Sequence, residues 1–134
     1  EYSPTTFTTR AFTSIVAAPF VAASLGSRAS LLVDARARER YRGDVEPLDP
    51  VAGHIPGAIN RPYLTNLDAD GRFKPADLLA TEFDALLGGH AARDVVHYCG
   101  SGVTACVNLF SLALLGREDA TLYAGSWSDW CSYL

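Results

Sequence analysis

Apolar residues recur along the chain in short runs that stop at Asp, Gly or Pro, and the runs follow two different periods. Leu31-Leu32-Val33, ended by Asp34, and Val95-Val96-His97-Tyr98, set between Asp94 and Cys99, are continuous and β-favouring. Such runs predict strands buried on both faces. Shorter strands are expected around Ile15 and Val16, at 58–60 (ended by Pro62) and at 121–123. Between them the period lengthens. Leu78, Leu79, Phe83, Leu86 and Leu87 fall on one face of a helix over 75–87, stopped by Gly88-Gly89. Residues 103–115 lack Pro and Gly and are closed by Gly116, which predicts a helix buried on most sides. Shorter helices are expected over 19–25, with Pro19 at its first turn, and over 35–41. Pro47, Pro50 and Pro56 mark 44–56 as loop, Asp70-Gly71 marks a turn, and 125–130 reads as an aromatic turn. Strands alternating with helices predict an α/β domain: a largely parallel central sheet with helices on both faces.

Residues 1–9 are polar, Thr-rich and contain Pro4, so positions 1–10 are expected to be a lead-in or interdomain linker and 11–134 the domain. At 134 residues this is one domain, able to bury roughly two-thirds of its unfolded surface. The chain contains no methionine, which suggests a fragment or a processed chain. A net charge of −4 argues against a nucleic-acid partner, and no apolar run reaches the length of a membrane span. Arginine outnumbers lysine ten to one, so an anion site here is an arginine site. Cys99, Cys106 and Cys131 form neither a C-x-x-C nor a zinc spacing, and so sparse a set suits a reducing, cytoplasmic setting.

Cys99 stands where a strand ends and Gly100-Ser101-Gly102 leads into a helix. In open α/β sheets ligands bind at such carboxyl ends. Unpaired N–H groups at a helix start, curled by two glycines, make a nest for an anion and lower a cysteine pKa. A thiolate there has three uses. A cysteine phosphatase or arsenate reductase needs an arginine closing the loop six positions on, and that position is Ala105. Sulfur transfer needs only a soft thiolate and a compact cradle for a persulfide. The third is a persulfide-carrying or non-catalytic interaction module. A bland alternative is a buried cysteine at a tight turn.

LLVDAR at 31–36, GHIPGAIN at 53–60, CGSGVTA at 99–105 and YAGSWSDW at 123–130 stand in the order of the rhodanese superfamily, which the chain resembles from about residue 12 to 130. The loop CGSGVT is similar to that of the 3-mercaptopyruvate sulfurtransferase branch; thiosulfate sulfurtransferases usually carry Arg-Lys in place of Gly100-Ser101. The resemblance implies a sulfurtransferase with no metal or organic cofactor, working through a Cys99 persulfide. The sulfur would come from a small anionic donor, 3-mercaptopyruvate or thiosulfate, and go to cyanide, a thiol or thioredoxin. It also implies an inactive rhodanese domain preceding this one and completing its cleft, so that this chain alone would load sulfur but turn over slowly. Cys99 is then the nucleophile, with Gly100, Ser101, Gly102, Val103 and Thr104 supplying the cradle. Ser101 matches a serine placed for proton relay or substrate contact, whose His and Asp partners belong to the preceding domain. Arg40 matches the arginine that grips the donor carboxylate, and Arg36, one turn earlier, is placed to assist. A second arginine of the branch is replaced by Glu46-Pro47-Leu48-Asp49, leaving Arg42 or Arg61 as substitutes.

Other residues divide between chemistry and packing. His97 shares a strand face with Cys99 and reads as a core histidine more than an acid. His54 reads as a turn brace, and Asp34 as an acceptor for loop N–H groups. Trp127 and Trp130 wall the cleft or fill the core. Cys106, expected two turns into the buried helix, reads as inert.

Overall fold

A computed structural model describes Thr6 and residues 14–134; the expected linker at 1–10 lies outside these apart from Thr6. Five strands form one sheet among the described residues: β1 (Ile15–Val16), β2 (Leu31–Asp34), β3 (Ile59–Asn60), β4 (Val95–Tyr98) and β5 (Thr121–Tyr123). Their order is β1-β5-β4-β2-β3, and every pairing is parallel. The continuous apolar runs take the centre, with Leu31 to Asp34 of β2 in register with Val95 to Tyr98 of β4. Residues buried on both faces need such runs.

Helices cover both faces. α3 (Ala76–Leu87) and α4 (Ala105–Leu114) bury Leu79, Phe83, Leu87 and Leu112 against Val33 and Val95. On the opposite face α1 (Ala18–Ser24) and α5 (Ser126–Cys131) bury Val21, Trp127 and Cys131 against Leu32, Val96, Tyr98 and Tyr123. Both faces are therefore dry. The carboxyl ends of β2, β4 and β5 are left to loops, and Cys99 follows directly on β4.

The structure corrects several expected boundaries. α2 covers Arg38–Arg42, not 35–41, because the Asp34 carboxylate accepts the Arg36 N–H at 2.8 Å and holds that segment in a turn. α4 starts at Ala105, since Gly102 is left-handed (φ 82°) and 100–104 wrap the sulfur first. The aromatic turn at 125–130 is the helix α5, whose Trp127 and Cys131, four apart, are both buried. Leu78 is 44 % exposed; α3 buries the stripe Leu79, Phe83 and Leu87 instead. Two 3-10 turns, Tyr63–Asn66 and Ala92–Asp94, had no signature of their own.

His97 sits at the middle of β4, fully buried, and neither ring nitrogen has a hydrogen-bond partner. Burial, reinforced by the Arg61 charge, lowers its pKa to about 3. The folded pKa lies below the unfolded one, so the unfolded chain binds the extra proton and stability falls as pH drops below about 6.5. Between pH 7 and pH 5 the loss from this residue is about 2 kcal/mol. Glu46 and Glu82, whose pKa values are lowered, remain ionised in that window. Urea denaturation at the two pH values should show the drop, and His97→Leu should remove it.

Candidate active site

The loop after β4 closes around the Cys99 sulfur because its peptides are held from outside. Gly100 C=O accepts the Ser128 N–H (3.0 Å) and Cys99 C=O accepts the Trp127 N–H (2.9 Å), both from the start of α5. In a trans peptide the N–H points opposite to the C=O, so fixing the Gly100 carbonyl outward turns the Ser101 N–H inward. Ser126 completes the brace. Its hydroxyl accepts the Cys99 N–H (3.1 Å) and donates to Tyr123 C=O (2.9 Å), and it adopts a left-handed φ of 58° while fully buried. Gly102 backs onto the same segment. A Cβ there would lie 2.5 Å from the Ala124 carbonyl oxygen.

Cys99 is only 1 % exposed. Burial pushes its thiol pKa up, but hydrogen bonds from the Thr104 hydroxyl and the Ala105, Ser101 and Gly102 N–H groups outweigh it, and the thiol lies below its ordinary value. Two donors in this set lie outside the expected cradle of backbone N–H groups at 100–104: the Thr104 side chain and the Ala105 amide. Ala105 stands where a phosphatase loop would need its arginine, and here it contributes its backbone.

A cavity of about 230 Å³ opens over the sulfur, lined by Arg40, Leu48, Asp49, Cys99, Gly100, Ser101, Val103, Thr104 and Ser128. The structure thus brings together Cys99, Arg40 and the loop residues 100–104 apart from Gly102, which supports the loop from behind. The Ser101 side chain is exposed at the mouth, as is Val103 at 72 %. Asp49 and Ser128 belong to the wall and carried no signal of their own; only their contacts reveal them.

The other arginines are elsewhere. Arg36 is 2 % exposed and spends its guanidinium on Asp34 (2.7 Å), Glu46 (3.3 Å) and Gly53 C=O (2.6 Å), with Trp127 beneath it at 4.8 Å. Burial opposes its charge, yet the Asp34 hydrogen bond and the Asp34 and Glu46 charges raise its pKa. Arg61 is 7 % exposed, paired with Asn66 (3.0 Å) and Glu82 (2.8 Å) over Phe83, and does not line the cavity. Arg42, in the last turn of α2, does not line it either. Trp127 is buried, donating its indole N–H to Val51 C=O (2.9 Å), so its position is in the core and not in the cleft wall. Trp130 packs against the same core.

Three remaining residues resolve clearly. His54 donates its Nδ1–H to Tyr41 C=O (2.7 Å) and stacks on the Tyr41 ring at 3.9 Å, as a brace does. Asp34, fully buried, serves Arg36 through both main chain and side chain. Cys106 is not deep in a buried helix: because α4 begins at Ala105, it lies in the first turn, exposed, donating to Gly102 C=O at 3.3 Å. Partial burial and the Cys99 charge push its thiol up.

The fold and this loop define a class. The family model for the rhodanese-like domain matches residues 18–133, and the chain belongs to that family. A Pseudomonas aeruginosa relative named "Probable 3-mercaptopyruvate sulfurtransferase" is 53 % identical over 116 residues, which is 87 % of this chain and 41 % of the relative. A Mycobacterium tuberculosis relative provisionally named thiosulfate sulfurtransferase SseB is 50 % identical over 110 residues, 80 % of this chain and 37 % of the relative. The solved 3-mercaptopyruvate sulfurtransferase of Leishmania major superposes with a TM-score of 0.73 at 29 % identity, covering 92 % of this chain and 34 % of that one. The chain therefore spans about two-fifths of the curated relatives it matches. No helix among the described residues is long and apolar enough to cross a membrane.

Two substitutions test the cradle separately. Thr104→Val removes a donor to the charged sulfur, so the Cys99 pKa should rise, read as a thiolate absorbance titration and as several-fold slower alkylation at neutral pH. Gly102→Ala places a Cβ against Ala124 in a left-handed conformation and should cost about 1–3 kcal/mol in thermal or urea unfolding.

Proposed function

We propose that this chain is the catalytic rhodanese domain of a sulfurtransferase that moves a sulfane sulfur from 3-mercaptopyruvate or thiosulfate to a thiophilic acceptor through a Cys99 persulfide. The observation that carries it is a nearly buried cysteine whose thiol is nonetheless held low by four converging donors. The relatives' names support the reaction class.

In the first half-reaction the Cys99 thiolate attacks the sulfur of the donor. The sulfur's bond to the rest of the donor breaks with its electron pair, which leaves on the enolate of pyruvate, later protonated, or on sulfite. Cys99 then carries S–S⁻, and the same N–H groups that held the thiolate hold the terminal charge. In the second half-reaction cyanide, a small thiol or a thioredoxin-type dithiol attacks that outer sulfur and releases the thiolate. Arg40 is the cation available to the donor's carboxylate, since it lines the cavity with Nη1 beside Gly100, 3.5 Å from where a Cβ would stand. Ser101, exposed at the mouth, is placed to contact the donor or pass it a proton. Arg36 serves this site through Glu46 and not by contact.

The relatives' greater length fits an inactive rhodanese domain preceding this one and completing the cleft. Three free thiols fit a reducing cytoplasm.

Incubating the chain with each donor and weighing it intact tests the reading. Cys99 is expected to gain the mass of one sulfur atom, cyanide to remove it, and Cys99→Ser to abolish the gain. A chain that gains nothing from any donor refutes the transfer role.

A further inference from the structure

The cavity over Cys99 contains one cation and, against it, a carboxylate. Among the described residues that line it, Arg40 is the only basic one and Asp49 the only acidic one. Arg40 Nη2 donates to Glu46 Oε1 at 2.7 Å and to Asp49 Oδ2 at 3.3 Å. The Glu46 side chain is 5 % exposed and also takes Arg36, the Leu48 N–H (3.1 Å) and the Asp49 N–H (3.2 Å), so the segment 46–49 is fastened around the guanidinium. Asp49 is fixed at its other oxygen as well. Its Oδ1 accepts the Ser128 hydroxyl at 2.6 Å, and the Ser128 N–H bonds Gly100 C=O in the cysteine loop. The Asp49 side chain is 8 % exposed. It is therefore a poorly solvated negative charge pinned in the wall of the cavity over Cys99, and two carboxylates share the one guanidinium.

We propose that Asp49 is a specificity-determining residue: it biases the sulfur-loading step against a second negative charge on the donor. The proposal rests on the transfer reading above. A monoanionic thiol carboxylate, such as 3-mercaptopyruvate, brings one charge to Arg40 Nη1. A dianion such as thiosulfate brings two into a site whose fixed cation is already offset. Repulsion by Asp49 scales with donor charge, so it weighs about twice as heavily on the dianion. Burial keeps that repulsion from being fully screened by salt.

The test is single-turnover loading of Cys99, followed by intact mass, with 3-mercaptopyruvate and with thiosulfate. Asp49→Asn keeps the shape and removes the charge. The ratio of loading rates, thiosulfate over mercaptopyruvate, should rise about five- to tenfold. Releasing Arg40 Nη2 would raise both rates, the dianion's more, and so moves the ratio in the same direction as the lost repulsion. Asp49→Glu, retaining the charge, should keep a ratio near that of the wild type, and Asp49→Ser should behave like Asn if Asn fails to fold. A ratio that stays within twofold in the folded, charge-free variant overturns the proposal. Wild-type protein that loads from neither donor would instead overturn the transfer reading itself.

Discussion

The hydrogen bonds that converge on the Cys99 sulfur oppose the desolvation that accompanies its burial, and the geometry of the loop follows from that opposition. A thiolate excluded from water is costly unless several donors reach it together. Amides meet the requirement at low entropic cost because their positions are set by the backbone, provided something stops the peptides from rotating. That restraint comes from α5 and the turn before it. The Ser126 hydroxyl and the Trp127 and Ser128 N–H groups grip the outer side of the loop, and Ala124 lies where any side chain at 102 would go. The short last helix is thus part of the sulfur site without touching the sulfur.

A second line of restraint runs from the sheet to the cavity rim. Asp34, at the end of β2 and fully buried, holds Arg36; Arg36 reaches Glu46; Glu46 holds Arg40 and the N–H groups of Leu48 and Asp49. Burial alone would raise the Glu46 pKa, but the Arg40 hydrogen bond and those two N–H groups hold it low. A buried pair of this kind adds little net stability, yet removing one member leaves an unpaired charge that costs about 3–5 kcal/mol. Its consequence here is placement. A loop with three prolines and no secondary structure over 44–56 is fixed at its acidic corner, and Arg40 with it.

The central strands, the amphipathic α3 and the cysteine loop were legible in the sequence because each rests on a local rule: unbroken apolar runs, a four-residue stripe, two glycines after a strand. The features that stayed hidden depend on partners far along the chain. Ser126 looks like any turn serine until Cys99 arrives 27 positions upstream, and Asp49 looks like a loop acid until Ser128 is beside it. Arg36 and Arg40 share a sequence spacing that suggests a joint role, but the turn at Asp34 sends the first into the core and leaves the second at the cavity. Trp127 was open between cleft and core, and Val51, 76 positions away, decides for the core.

Arginine at position 40 does something lysine could not. A guanidinium is a fork, so Nη2 can be held by Glu46 and Asp49 while Nη1 lies beside Gly100, with the residue still lining the cavity. An ammonium presents a single point of charge, which two carboxylates would draw away from the sulfur. The fork thus lets one arm fix the position of the group while the other is not spent on the same carboxylates. On the proposed transfer role, that second arm is what an anionic donor would meet, and the acid beside it would weigh against a second charge.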